Sequence, residues 1–337
     1  MRIGVLAPIA WRVPPRHYGP WELVVSRLTE GLVARGHDVT LFASGDSLTA
    51  AALSSGTPRP YEEDPSVDVK VAECLHIAAA FERAGEFDVL HNHFDFLPLA
   101  WSRLVDTPVV TTVHGLSSER IVPVYRQYDD RVAYVAISEA DRHPDLTYAA
   151  TVHHGIPVEQ VPVGAGSDDG TLVFFGRIHP DKGTAEAIEV ARRADRPLVL
   201  AGIVQDRDYF DAQVRPHLDD DRVRYLGPVG PDARDDLLGS ADALLHLVRF
   251  AEPFGLSMVE AMACGTPVVA TPLGSVPEVV QDGVTGFHVG GVDAAVAAVG
   301  RLDQLDRAHC RARVEQRFGV DRMVEGYLEV YRSVLRR

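Results

Sequence analysis

The chain has 337 residues, of which 46% are hydrophobic and 24% charged, and its formal net charge is −15. This length suits two α/β domains of roughly 150 residues each. The acidic balance argues against nucleic acid as a partner, because phosphate backbones bind basic surfaces, and against stable docking on anionic membranes. No stretch of about 18 apolar residues occurs, so we expect no membrane span and a cytoplasmic protein.

The first part of the chain alternates short apolar runs with a helical pattern. Leu23, Leu28 and Leu32 recur at helical spacing before Gly36, a typical stop signal, which predicts a helix over residues 22–35. Strands are predicted at residues 2–7, 38–43, 89–91, 109–113 and 132–137. Strands separated by helices indicate a parallel sheet.

A Gly-rich polar stretch over residues 161–170 is typical of a linker, and the alternation restarts after it. Strands are predicted at residues 171–175, 197–201, 223–226, 243–247 and 267–270. Helices are predicted at residues 184–193, 208–216, 231–239, 256–263 and 276–281. Residues 320–337, at the end of the chain, are predicted to form an amphipathic helix. Its apolar stripe comprises Met323, Tyr327, Leu328, Tyr331 and Leu335.

The predicted fold class is therefore α/β, with two doubly wound, Rossmann-like domains. We assign residues 1–160 to the first domain, 161–170 to the linker, 171–318 to the second domain and 319–337 to the final helix. Ligands of such sheets bind beyond the carboxyl ends of the strands. The loops that follow the strands are therefore the places to search for a site.

Cysteine and histidine spacing predicts no metal site. Cys74, Cys264 and Cys310 are far apart, so we expect buried free thiols rather than a disulfide framework or a zinc site. His91 and His93 share one side of a strand end, but no third ligand is identifiable. We expect His91 or His93 to lie near an acceptor instead, and we select His93 as the candidate acceptor-binding residue.

The first motif with a chemical meaning follows the strand that ends at Phe175. Gly176, Arg177 and Lys182 come between this strand and a helix that begins near residue 184. Two cations and a helix N-terminus at one strand end favour anion binding. The residues do not match the phosphate loop Gly-x₄-Gly-Lys-Ser/Thr. The alternative is that both cations are simply solvated.

The second motif, Glu-Pro-Phe-Gly-Leu-Ser-Met-Val-Glu, spans residues 252–260. Gly255 precedes a predicted helix that ends before Gly265. Glu252 lies before this helix and Glu260 just over one turn inside it, so both can face one cleft with backbone N–H groups between them. Such carboxylates suit sugar hydroxyls on either side of a diphosphate. The alternative is one surface glutamate and one that complements the helix dipole.

Together with residues 274–278 and 283–287, these motifs resemble glycosyltransferase family four, of GT-B fold. Residues 2–7, 34–43 and 113–115 also lie where the family has them, so the resemblance covers nearly the whole chain. It implies two Rossmann-like domains facing across a cleft, the first binding the acceptor and the second the donor. The final helix would cross back to the first domain.

The resemblance further implies a retaining, metal-independent transfer from a nucleotide diphosphate sugar, with UDP favoured and no cofactor. Arg177 and Lys182 would neutralise the leaving diphosphate, and one such group often contributes about 3 kcal/mol. Glu260 would hold the ribose hydroxyls, Glu252 the transferred sugar, and His114 would contact the sugar near the reacting carbon. The other donor-binding residues implied are Gly19, Gly176, Leu226, Val229, Phe254, Gly255, Leu256 and Ser257.

The loop over residues 11–21 departs from the family pattern. The family usually has Gly-Gly where this chain has Gly19-Pro20, and proline has no N–H to donate. Trp11, Tyr18 and Trp21 can stack on sugar rings, so we expect this loop to bind the acceptor; packing of the loop alone is the alternative. Its few cations predict a soluble acceptor, such as an oligosaccharide or a natural-product intermediate.

Three other function classes compete with this interpretation. A nicotinamide-dependent oxidoreductase needs Gly-x-Gly-x-x-Gly after the first strand, and residues 3–18 contain only Gly4. A nucleotide-sugar epimerase or a sugar phosphorylase of the same fold is the second alternative. A non-catalytic sugar-binding module is the third. The sequence predicts no particular oligomeric state.

Overall fold

A computed structural model describes residues 1–116, 118–219 and 221–336, with Asp232 described by its backbone alone. The chain forms two compact units. The first comprises Met1–Gly155 with Val320–Arg337, and the second comprises Ile156–Gly319. Each unit is built on its own parallel sheet. In the described ranges, no helix is long and apolar enough to cross a membrane.

The first unit contains a parallel sheet in the strand order β3-β2-β1-β4-β5-β6-β7. Its strands are almost entirely buried where they are central, because helices cover both faces of such sheets. The strands are β1 (Arg2–Leu6), β2 (Asp38–Phe42), β3 (Ala52–Ser54), β4 (Val89–Asn92), β5 (Val109–Val113), β6 (Val132–Ala136) and β7 (Tyr148–Thr151).

Four α-helices described in the first unit are α1 (Pro20–Ala34), α2 (Val69–Glu82), α3 (Val122–Gln127) and, from the chain's end, α11 (Val320–Val334). Helix α11 packs closely on α1, since a Cβ added at Gly31 would lie 2.5 Å from Cγ2 of Val324. Tyr327 and Tyr331 are fully buried. The prediction that Leu335 belongs to the apolar stripe of this helix is wrong, because Leu335 follows the helix and is 43% exposed.

The second unit has the strand order β10-β9-β8-β11-β12-β13, again all parallel. The strands are β8 (Leu172–Phe175), β9 (Leu198–Ala201), β10 (Val223–Tyr225), β11 (Ala243–His246), β12 (Val268–Ala270) and β13 (Gly286–His288). The helices are α4 (Thr184–Arg193), α5 (Arg207–Tyr209), α6 (Pro231–Gly239), α7 (Leu256–Ala263), α8 (Val276–Val279), α9 (Val292–Val299) and α10 (Arg307–Arg317).

Two further local predictions differ from the structure. The continuous helix predicted over residues 208–216 is instead α5, a π-helical stretch at Phe210–Val214 and a 3₁₀ turn at Arg215–His217. The proline at position 216 has no N–H for a regular helix, which explains the irregular end. Cys74 is exposed, contrary to expectation, whereas Cys264 and Cys310 are buried as predicted.

Residues 161–170 pack within the second unit rather than extending away from it. The N–H of Gly164 donates to the carbonyl oxygen of Cys264 at 2.9 Å. A Cβ added at Gly164 would lie 2.0 Å from the carbonyl oxygen of Gly239, so only glycine fits there.

Candidate functional site

The loop between β8 and α4 brings the two predicted cations to the carboxyl end of the second sheet. After β8, the N–H of Gly176 donates to the carbonyl oxygen of Ala201 at 3.0 Å. Gly183, with φ of 74°, precedes α4 in the left-handed region, and a Cβ there would lie 2.0 Å from the carbonyl oxygen of Leu247. This tight turn places Lys182 directly before the N-terminus of α4.

Lys182 forms a buried ion pair with Glu252. Its Nζ lies 2.7 Å from Oε2 of Glu252, and the two side chains are 15% and 9% exposed. The ammonium group also lies 4.5 Å from the centre of the Phe250 ring. Oε2 of Glu252 also lies 3.2 Å from Nε2 of His246. Two of the predicted site residues are therefore in direct contact.

The pKa of Glu252 follows from these neighbours. Burial alone would raise it, but the interaction with His246 and the charge of Lys182 outweigh burial and hold the pKa at about 2. Glu252 is therefore an ionised hydrogen-bond acceptor at neutral pH. A general acid would need the opposite shift.

Arg177, the second predicted cation, lies beside an open pocket of about 460 Å³. Its guanidinium contacts the side chain of Gln205 and lies 3.6 Å from a carboxylate oxygen of Asp181. These two partners orient the guanidinium. The pocket is lined by Arg177, His179, Gln205, Asp206, Arg207 and Asp208.

The N-terminus of α7 follows Glu252 in the chain. Gly255, with φ of 76°, takes a conformation that other residues rarely adopt, and a Cβ there would lie 2.3 Å from Cε of Met258. Leu256 and Ser257 are half-buried in the first helical turn, where N–H groups have no partner within the helix. The ring of Phe254 is buried and packs edge-on against Phe318, so Phe254 can contact a ligand only through its backbone.

Glu260 has a partner that the sequence did not indicate. Nη1 of Arg234 lies 2.7 Å from Oε1 of Glu260, and its Nη2 lies 2.7 Å from Asp235. Arg234 is 8% exposed and comes from α6. The 26-residue separation and the polar surroundings of Arg234 in the sequence are typical of a solvated helix start, so no pattern identified this pair.

The loop predicted to face the nucleotide base follows β10. Leu226 is 52% exposed and Val229 is half-buried. The loop is fixed from beneath by a hydrogen bond from the N–H of Gly202 to the carbonyl oxygen of Gly227, at 2.9 Å. An exposed apolar side chain on a fixed backbone can stack on a base.

In the first unit, His114 follows β5 and is 7% exposed. Its Nε2 lies 2.9 Å from Nδ1 of His93, and Nε2 of His93 lies 3.2 Å from Nδ1 of His91. His91 in turn contacts the hydroxyl of Tyr331 at 2.6 Å and that of Thr112 at 2.8 Å. The three histidines thus form a row, His114–His93–His91, in which each ring is hydrogen-bonded to the next.

Burial lowers the pKa of every histidine in this row. The pKa falls to about 3 for His91 and His114, and well below the ordinary value for His93. The three rings are therefore neutral at pH 7. Among the residues that the structure describes, no group of three or more His, Cys, Asp or Glu side chains could hold a metal ion.

The aromatic side chains of the loop over residues 11–21 contact other rings of the first unit. Trp11 and Tyr18 pack edge to face with ring centres 6.2 Å apart. Trp21 stacks on His114 with ring centres 5.1 Å apart and an angle of 18°. The buried carboxylate of Glu22 accepts a hydrogen bond from the N–H of Trp11 at 3.2 Å, and Gly19 lies beside it.

Comparison with known families covers both units. The model of the family described as "Glycosyltransferase Family 4" matches residues 22–154, and that of "Glycosyl transferases group 1" matches residues 158–313. The chain belongs to glycosyltransferase family four. The family assignment and the enzyme class predicted from the motifs are therefore confirmed, and the comparisons do not favour an epimerase or a phosphorylase.

Individual relatives cover nearly the whole chain. A glycogen synthase of Mycobacterium tuberculosis is 28% identical over 90% of this chain and 87% of its own. A phosphatidyl-myo-inositol mannosyltransferase of Mycobacterium leprae is 27% identical over 99% and 97%. The solved structure of Anabaena HepE in complex with UDP-glucose is 19% identical, with a TM-score of 0.76 over 99% and 100%. The likeness to solved structures confirms the GT-B fold.

Proposed function

We propose that this glycosyltransferase transfers a sugar from a nucleotide diphosphate sugar, with UDP favoured, to a soluble acceptor. The observation that carries the proposal is the cluster at the carboxyl end of the second sheet. There Lys182 and Arg177 follow β8, and Lys182 contacts Glu252, which precedes the N-terminus of α7. Two cations and a helix N-terminus suit a diphosphate, and an ionised carboxylate suits sugar hydroxyls.

The proposed mechanism retains the anomeric configuration and uses no metal. When the bond between the sugar and the phosphate breaks, negative charge develops on the departing diphosphate. Lys182, Arg177 and the N–H groups of Leu256 and Ser257 would stabilise that charge, because fixed donors need little reorganisation. The retaining course rests on the resemblance to the family.

The donor sugar and nucleoside have separate partners in this proposal. Glu252 accepts hydrogen bonds from hydroxyls of the transferred sugar, and Glu260, oriented by Arg234, accepts them from the ribose. Leu226 and Val229 provide the surface for the base. UDP is favoured because HepE, which shares the fold, was solved with UDP-glucose. His114 is the sugar contact that the resemblance to the family implies.

The proposal is tested by measuring sugar transfer with purified protein, UDP-sugars and a panel of acceptors in the presence of excess chelator. We expect product formation that chelator does not reduce, with the product anomer matching the donor when read by proton NMR. In the same assay Lys182→Ala should lower turnover, because a cation that stabilises the departing diphosphate is lost. Lys70→Ala is its matched control, since Lys70 is exposed and the chain has no third lysine. Activity lost in chelator and restored by manganese would contradict the metal-free mechanism.

The soluble acceptor is proposed from charge. The net charge of −15 opposes binding to anionic lipid, although one relative is named as a phosphatidyl-myo-inositol mannosyltransferase. The acceptor panel therefore includes oligosaccharides and lipid-linked acceptors, and co-sedimentation with anionic vesicles at low salt is measured alongside. We expect turnover on soluble acceptors and little vesicle binding. Strong binding to vesicles, with turnover on lipid-linked acceptors only, would contradict this part of the proposal.

A further inference from the structure

The row of buried histidines ends on a tyrosine of the final helix, 240 residues away in sequence. His114 contacts His93, His93 contacts His91, and His91 contacts the hydroxyl of Tyr331. Within the described residues, Nδ1 of His114 is a buried atom without a hydrogen-bond partner. A buried polar atom of this kind is costly unless a ligand completes it.

We propose that His93, His91 and Tyr331 form a hydrogen-bonded relay that fixes the tautomer of His114, with its proton on Nε2, and makes its Nδ1 an acceptor for a sugar hydroxyl. The ligand part of this inference rests on the proposed function. His93, His91 and Tyr331 are positioning residues in it, since they act on the sugar only through His114.

The direction of the relay is set at Tyr331. Burial raises the pKa of Tyr331 well above its ordinary value, so the phenol keeps its proton. A phenol O–H is a better donor than an imidazole N–H, and an imidazole nitrogen is a better acceptor than a phenol oxygen. At 2.6 Å, Tyr331 therefore donates to Nδ1 of His91.

Each further step follows because a neutral imidazole carries one proton. His91, with Nδ1 accepting, has its proton on Nε2 and donates to the hydroxyl oxygen of Thr112 at 2.8 Å. Nδ1 of His91 thus carries no proton, so the proton of its 3.2 Å contact with His93 lies on Nε2 of His93, and the single lone pair of His91 Nδ1 is shared between Tyr331 and His93. Nδ1 of His93 is then left as an acceptor. His114 must therefore donate from its Nε2.

The remaining nitrogen of His114 is thus an unprotonated Nδ1. Stacking against Trp21 limits rotation of the ring, and the bond to His93 fixes its orientation. A sugar hydroxyl donating to Nδ1 would satisfy this buried atom. A hydrogen-bond acceptor at this position selects for a hydroxyl and against a group that offers only lone pairs.

The matched variants are Tyr331→Phe and Tyr327→Phe, which each remove one hydroxyl from a fully buried tyrosine of α11. Tyr327 contacts Thr112 at 2.8 Å and lies outside the relay, because Thr112 can still accept from His91 without it. Nitrogen NMR of ¹⁵N-histidine-labelled full chain, without substrate, reports the tautomer. A His114→Gln variant identifies the signals of His114.

We expect an unprotonated Nδ1 of His114 in the wild-type chain and in Tyr327→Phe, and a mixture of tautomers in Tyr331→Phe. Turnover of Tyr331→Phe should fall about tenfold with KM little changed, the effect of losing roughly one hydrogen bond. A protonated Nδ1 in the wild type, an unchanged tautomer in Tyr331→Phe, or equal effects of both variants would overturn the relay. The tautomer is read without sugar transfer, so failure of the proposed function is distinguishable.

Discussion

Glu252 and Lys182 form a buried ion pair, with their charged atoms 2.7 Å apart. Breaking such a pair by removing one partner leaves the other charge uncompensated. A diphosphate that binds Lys182 would compete with Glu252 and release its carboxylate for the hydroxyls of the sugar. Under the proposed function, binding of the diphosphate and binding of the sugar would therefore be linked at this pair.

The two carboxylates should separate in their effects when each is replaced by glutamine. Glu260→Gln should weaken UDP binding about tenfold, because a charged acceptor of the ribose hydroxyls is lost. Glu252→Gln should leave UDP binding unchanged or tighter, since Lys182 then has no counter-charge, yet reduce turnover. Calorimetry with UDP and a transfer assay check both variants. The reverse ranking of UDP affinities would contradict the assignment.

Which residues could be identified from the sequence depends on how far apart the partners are. Arg177, Lys182, Glu252 and Glu260 stand in short motifs near helix starts, and local spacing is enough to select them as candidates. Arg234 was not found, because its partner lies on another helix and its neighbours are polar. Contacts between distant segments have no signature in one sequence.

Helix α11 contributes a large apolar surface to the first unit. Its buried side chains are Met323, Val324, Tyr327, Leu328, Val330, Tyr331 and Val334. Burying one such side chain stabilises a protein by about 1.5–3 kcal/mol. Their sum is comparable to the roughly 5–15 kcal/mol by which whole domains are stable.

A chain that ends at Gly319 should therefore lose the folded first unit. We expect a much lower melting temperature and loss of sugar transfer, measured by calorimetry and activity. A chain that ends at Val334 is the control, since it keeps every buried residue of the helix and removes the exposed Leu335. Equal melting temperatures for the two truncated chains would contradict a stabilising role of α11.

Several elements agree closely with the sequence prediction. The bounds predicted for residues 184–193 and 256–263 agree with α4 and α7. Helix α2 was missed, because its exposed side carries Val71 and Leu75 opposite the buried Ile77 and Phe81. Apolar residues on both faces remove the periodic signal. Strands β3, β7 and β13 were also not predicted, and each of them is only three or four residues long.

At the scale of the whole molecule, we expect the buried histidines to lower the free energy of unfolding in mild acid. Burial lowers the pKa of His76 to about 4 and those of His91 and His114 to about 3, and it holds those of His93 and His154 well below the ordinary value of 6.5. The unfolded chain takes up protons below pH 6.5 that the folded chain does not. Stability therefore falls as pH falls below 6.5, by up to about 1.4 kcal/mol per histidine and pH unit.

Glu22 acts in the opposite direction. Burial raises its pKa to about 7 from the ordinary value of 4.5, so the folded chain holds a proton that the unfolded chain has released. Stability from this group is present below pH 4.5 and is lost as pH rises to about 7. Glu22→Gln should therefore raise stability at pH 8 by up to about 3 kcal/mol and change it little at pH 4. Denaturant unfolding at both pH values checks this; equal effects at both would contradict it.

Calorimetric titration with UDP in excess chelator measures directly whether the second unit binds a nucleoside diphosphate through Lys182. We expect saturable binding to the wild-type chain and to Lys70→Ala, and affinity reduced about tenfold or more in Lys182→Ala, the loss of a charge-assisted bond. The melting temperature of each variant shows that it is folded. UDP binding that is equal in the wild type and a folded Lys182→Ala would contradict a role of Lys182 in nucleotide binding.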